Sequence, residues 1–120
     1  IFTFNDTVTF SNTVFTNYIE STYSNTTFGS SYTVNLNNGS VHLLSLTSST
    51  TISMPSPIAG KSFTLFLYTG SDGYTVTWNG ASWVDGNSAP TVTGFPSKKD
   101  IFSFISDGNN WFGLVVGQNF

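Results

Sequence analysis

A chain of 120 residues has room for one domain, and with three Lys, no Arg, six acidic residues and a net charge of −3 it lacks the clustered cations that a phosphate backbone requires, so nucleic acid is not an expected partner. The absence of Cys removes disulfides, thiolate zinc sites and cysteine nucleophiles. Ser, Thr and Asn fill 48 positions, but Leu, Ile, Val and Phe fill 34, well above the roughly 20% below which chains stay disordered, and 53 strand-favouring residues against 16 strong helix formers point to an all-β fold. No apolar run approaches the roughly 20 residues of a membrane-spanning helix, and no basic segment precedes an apolar one as in a signal peptide, so membrane insertion is not expected. The chain opens on Ile1 rather than Met, as expected where an upstream part was removed or left out.

In chain order, the first thirty residues repeat every six. Thr3-Phe4-Asn5-Asp6-Thr7-Val8 is followed directly by Thr9-Phe10-Ser11-Asn12-Thr13-Val14, and a weaker echo, Thr22-Tyr23-Ser24-Asn25-Thr26-Thr27, arrives after a slip of one residue. Phe4, Val8, Phe10 and Val14 are separated by even numbers of residues, so in an extended chain all four project to one side. A strip this narrow cannot cover its own aromatic face; short repeats bury theirs by stacking on neighbouring repeats or chains. With barely four hexads available, other chains are the expected cover, and closed homo-oligomers are the usual solution. Residues 1–31 are therefore read as an extended, β-rich fibre-shaft and oligomerisation segment, with Phe4, Val8, Phe10 and Val14 as oligomer contacts and three strips wound about one axis. An ordinary edge hairpin with accidental similarity is the competing reading.

From Tyr32 the pattern changes. Tyr32, Val34 and Leu36 alternate with polar residues, Asn37-Asn38-Gly39-Ser40 turns the chain, and Val41 to Leu46 follows; Asn-Gly between alternating runs is a strong hairpin signal. Related pairs at Asp72-Gly73, Asn79-Gly80, Asp85-Gly86 and Asp107-Gly108 divide the remainder into predicted strands at 50–54, 62–69, 74–78, 91–93, 100–106 and 111–116. Pro55, Pro57, Pro90 and Pro96 fall between them, where a missing N–H breaks no ladder. Seven or eight short strands predict an antiparallel β-sandwich, jelly-roll-like, as a tip domain over 32–120. Several strands carry large apolar residues on both faces, Phe63, Leu65 and Leu67 against Phe66 and Tyr68, and Ile101 and Ile105 against Phe102 and Phe104. Such strands need two covers, of which a neighbouring subunit is one.

Little chemistry is visible. The single imidazole, His42, lies inside a predicted strand between Val41 and Leu43, and no G-x-S-x-G elbow occurs. Three of the six acids, Asp72, Asp85 and Asp107, directly precede Gly and read as turn formers; Glu20 and Asp100 lack such an explanation and are the pair that a glycan-cleaving site between subunits would use. No calcium loop motif is present, and N-x-[ST] at Asn5, Asn25 and Asn38 is uninformative in so Ser/Thr-rich a chain. No catalytic residue, metal or cofactor is predicted. Among the aromatics, Trp78 and Trp111 read as core or subunit-contact residues, whereas Trp83, in the loop 79–90, is the expected exposed ring for stacking on a sugar.

The series Val76-Thr77-Trp78, Trp83, Gly86, Pro90-Thr91-Val92-Thr93, Lys99-Asp100-Ile101-Phe102-Ser103-Phe104, Asp107-Gly108, Trp111, Gly113 and Gly117-Gln118-Asn119-Phe120 resembles a domain that recurs at the C-termini of structural proteins of tailed bacteriophages, tail fibres and related virion appendages among them. The resemblance covers 75–120 well and 33–70 by pattern, and departs from the family at Asn79, where Pro commonly follows the first Trp. It implies a non-enzymatic virion component ending in a compact trimeric knob on the particle surface. Its expected partners are copies of itself, other virion proteins and a host surface glycan or receptor. Phe120 at the chain end is expected to dock into apolar surroundings. The competing functions are a carbohydrate-binding module of a larger extracellular protein, and a capsid decoration or cement protein.

Overall fold

The computed structural model describes residues 1–26, 29–70, 73–86, 88–95 and 97–120. The readings of Thr27, of Asp72 in its turn and of Pro96 lie outside the described residues. From Thr22 onward the chain alternates between two sheets. Strands β1 (Thr22–Asn25), β3 (Val41–Ser45) and β5 (Ser62–Tyr68) lie side by side in the first, and β2 (Ser31–Thr33), β4 (Thr50–Ser53) and β6 (Val76–Asn79) form the second. Thr22 pairs with Val41 and Val41 with Thr64, while Ser31 pairs with Thr51 and Thr51 with Thr77, all in parallel ladders. The chain thus winds through three turns of roughly twenty residues, a length at which stacked turns share one continuous core. Beyond β6 the chain re-enters the first sheet as β7 (Ala81–Trp83), and the antiparallel pair β8 (Lys99–Ser106) and β9 (Trp111–Gly117) fills the gap, giving the order β1-β3-β5-β8-β9-β7.

The fold is all-β, but the expected antiparallel connectivity is corrected: the β5–β8 and β8–β9 ladders are antiparallel, and the other five are parallel. Parallel neighbours need a long crossover; for the β1–β3, β3–β5, β2–β4 and β4–β6 pairs it is a strand of the opposite sheet, and for β7–β9 it is the segment that carries β8. The Asx-Gly pairs explain why the sequence misleads. Asn38-Gly39 makes a corner between sheets: the Asn35 side chain accepts from Asn37 N–H at 3.0 Å, Leu36–Asn38 forms one tight turn, and Gly39 leaves it at φ 144°. A Cβ on Gly39 would stand 2.5 Å from the carbonyl oxygen of Ser21, so only glycine fits beneath the entering chain. Asn79-Gly80 is likewise a corner, joining β6 to β7 across the two sheets. A true hairpin forms at Asp107-Gly108, where the Asp107 carboxylate accepts from Asn109 and Asn110 N–H, both at 2.8 Å, which also holds its pKa below the usual carboxylate value. Residues 91–93 form no strand.

The core lies between the sheets. Phe63, Leu65 and Leu67 of β5, Phe102 and Phe104 of β8 and Trp111 of β9 face Tyr32, Ile52 and Trp78 of the second sheet. Within the first sheet Phe104 stacks on its cross-strand partner Phe63 with centroids 4.8 Å apart, and Trp78 meets Phe102 edge-on at 5.0 Å and so joins the two sheets, aromatic pairs worth about 0.5–1.5 kcal/mol each beyond their burial. The outer faces differ. On the second sheet the outward register rows are Ser31, Thr51 and Thr77, then Thr33, Ser53 and Asn79, with Asn79 donating to the Ser53 hydroxyl at 3.1 Å. On the first sheet they are largely apolar.

Residues 1–21 form no strand, so a β-rich shaft is not seen in the single chain. They bend at Asn5-Asp6 and Ser11-Asn12, one hexad apart, and again at Thr16-Asn17. The third hexad echo, Thr22–Asn25, is strand β1. With this leading segment the radius of gyration is 15.5 Å, above the about 14 Å of a compact chain this long.

Candidate functional site

Two uncovered apolar surfaces and one tethered chain end stand out. Phe4, Val8, Phe10 and Val14 are exposed, from 41% at Val8 to 90% at Val14. Phe15 and Tyr18, outside the six-residue register and so missed by the repeat, join them: Phe10 meets Phe15 at 6.4 Å and Phe15 meets Tyr18 at 6.3 Å, both edge-on. The second surface is the outer face of the six-stranded sheet, where Leu43, Ile105, Phe112, Leu114 and Val116 are exposed.

The chain end is held by a carboxylate. Asp100, at 1% exposure, accepts from Thr93 N–H at 2.7 Å, Asn119 N–H at 3.0 Å and the Gln118 amide at 3.0 Å. Burial raises its pKa, but these hydrogen bonds outweigh burial and hold the carboxyl below its ordinary value. Gln118 also donates to the carbonyl of Thr91 at 2.7 Å, and Phe120 exchanges backbone hydrogen bonds with Lys99 at 3.0 and 3.1 Å. The end is docked, though not in an apolar pocket: the Phe120 ring rests on Gly117 and stays 61% exposed.

Trp83 is corrected from an exposed ring to a buried one. At 9% exposure it packs on Phe102 and Phe104, and its indole lies so close over Gly113 that a Cβ there would meet it at 2.6 Å. Its Nε1 is buried with no hydrogen-bond partner among the described residues, and its edge borders a shallow groove of about 410 Å³ with Pro90, Gly113 and Leu114. The other indoles donate to backbone, Trp111 to Pro55 O at 2.8 Å and Trp78 to Pro90 O at 3.4 Å. The loops that carry Pro55 and Pro90 thereby close over the core.

His42 is fully buried among the rings of Tyr23, Tyr32 and Phe63. The Gly39 carbonyl, 2.9 Å from Nε2, can only accept, so Nε2 carries the proton, and Nδ1 accepts from the Tyr32 hydroxyl at 3.0 Å. Burial pushes Tyr32 up to about 12, so its hydroxyl stays a donor. Burial lowers the His42 pKa, opposed in part by the Gly39 hydrogen bond. The neutral ring therefore supports the fold fully above the unfolded value of about 6.5, and this support is lost as pH falls through the lower folded value. Urea melts at pH 7.5 and 5.5 should show the protein weaker at 5.5, and His42→Gln should flatten that difference; an equal slope in the variant would refute the assignment.

Glu20 and Asp100 have separate partners: Glu20 accepts from the Ser40 hydroxyl at 3.2 Å, and Asp100 holds the chain end. Among the described residues no three His, Cys, Asp or Glu side chains converge as a metal site. No helix among them is long and apolar enough to cross a membrane. Comparison with known protein families, with characterised proteins and with solved structures returns no match.

Proposed function

We propose that the protein is a non-enzymatic structural component of a tailed-bacteriophage virion, a homotrimeric tail-fibre or appendage module that serves host attachment or particle decoration on the outside of the particle. The observation that carries this reading is the leading segment: Phe4, Phe10, Val14, Phe15, Tyr18 and Ile19 all stand in solvent on a strip that bends at the same place in successive hexads. Burying such a side chain is worth about 1.5–3 kcal/mol, so a strip of them favours bundling with copies of itself. The C-terminal signature supports it as well. Asp100, Thr91, Thr93, Gln118, Asn119 and Phe120, scattered in the sequence, meet in one clasp, and Trp83 with Gly113 in another, which is how a knob closes its own end. A non-catalytic role accords with the use of His42 and Asp100, both saturated by structural hydrogen bonds.

Sedimentation of the purified chain should give three times the 13.0 kDa chain mass. A monomer persisting at about 100 μM, where mass action favours association, would overturn the reading; a monomer that also binds sugars would mark a carbohydrate-binding module instead.

A further inference from the structure

We propose that the outer face of the six-stranded sheet is a second self-association surface, covered by the same faces of the two neighbouring copies of this chain about the trimer axis. The inference rests on the oligomeric reading above but concerns a different surface from the leading strip. Across the ladders Leu43, Phe66 and Ile101 lie side by side, Ser103 is beside Leu114, and Ile105 is beside Phe112, so the outward side chains form one contiguous patch over four strands. Leu43, Ile105, Phe112 and Leu114 are each more than a third exposed, whereas Phe66 and Ile101 are half-buried by their neighbours.

The molecule itself favours a second copy over water. The other sheet shows what this chain places against solvent: its outward rows are Ser, Thr and Asn throughout. On the six-stranded sheet Lys99, at one margin, is the sole charged residue at the outward positions of β3, β5, β8 and β9, so the patch presents nothing a charged partner would read and is complementary to itself. The exposed parts of its apolar side chains amount to roughly 400–500 Å², at the upper end of what a typical monomer exposes, and each pair of copies would bury up to about 800–1,000 Å², the size of a weak, concentration-dependent contact. Flat sheet faces meet well in closed symmetric assemblies, where each copy offers the same surface.

The test uses the full chain, whose lack of cysteine makes single thiols clean reporters. Ser103→Cys, at the centre of the face, should react with a maleimide about tenfold more slowly at high protein concentration than at high dilution, as mass action requires of an interface, while Ser56→Cys, in an exposed loop, should react at one rate throughout. Ile105→Lys and Leu114→Lys should lower the sedimenting mass with an unchanged far-ultraviolet spectrum. Concentration-dependent protection together with dissociation of the Lys variants supports the inference. Protection that persists at every dilution in a monomer would mean that the chain's own leading segment covers the face, and overturns it. If the wild type is an oligomer, Ser103→Cys reacts freely and the Lys variants still assemble while Phe10→Ser does not, the inference fails and the oligomeric reading stands. A wild type that is monomeric at all concentrations removes both.

Discussion

Phe104→Ala should destabilise the folded body by about 4 kcal/mol and lower its melting temperature by about 12–20 °C, with association left to whatever fold survives. Phe104 is fully buried, stacked on Phe63 and in ring contact with Trp78 and Trp83, so truncation opens a cavity where the two sheets meet. The matching control is Phe112→Ala on the neighbouring strand, paired with Ile105 beside it. Its ring points outward and is 41% exposed, so its loss should cost the isolated subunit less than about 1 kcal/mol while weakening self-association. Thermal melts at low concentration paired with sedimentation separate the two effects. Equal destabilisation by both variants would mean that the assignment of inner and outer faces is wrong.

Asp100→Ala should cost about 2–4 kcal/mol, because it leaves the N–H groups of Thr93 and Asn119 without their acceptor in a part-buried setting. Asp100→Asn keeps the shape but places an amide donor against donors, and should cost about 2 kcal/mol. Removing Asn119 and Phe120 cuts the same clasp from the other side, deleting one donor to Asp100 and the backbone pair with Lys99. It should lower the melting temperature in the wild type but add little in Asp100→Ala, since coupled groups are not additive. The carboxylate's folded pKa is depressed, so its contribution is complete above the unfolded value of about 3.9 and lost as pH falls through the folded one. This acid limb should vanish in Asp100→Asn, well below the window in which His42 acts. An unchanged melt after the deletion would refute the clasp.

Much of the body was legible in the sequence, and its limits have a physical origin. Strand positions emerged from Thr, Val, Ile and aromatic alternation, and the two-faced character of β5 and β8 from Phe63 to Tyr68 and Ile101 to Ile105. The pairing of those strands was not legible. An Asx-Gly pair states that the backbone turns with positive φ, and the same chemistry at Gly39, Gly80 and Gly108 serves two corners and one hairpin. Which way the chain leaves such a turn depends on what it lands on. Trp83 was misplaced for a related reason: loop position suggested exposure, but the gap above Gly113, visible only once β7 lies beside β9, draws the indole in.

The apolar surfaces divide the same way. That Phe4, Val8, Phe10 and Val14 recur in hexads, and that more apolar area exists than one sheet face can bury, follows from residue order alone, because side-chain period and volume are local properties. Tertiary structure alone decided that Phe63, Phe102 and Phe104 face the core while Phe66, Ile101 and Ile105 face out, that Phe15 and Tyr18 join the leading cluster, and that Asp100 ties down Asn119 across the fold. A strand with two greasy faces does not say which is inward; that choice is made by the opposite sheet, which offers Ile52 and Trp78 to one face and nothing to the other.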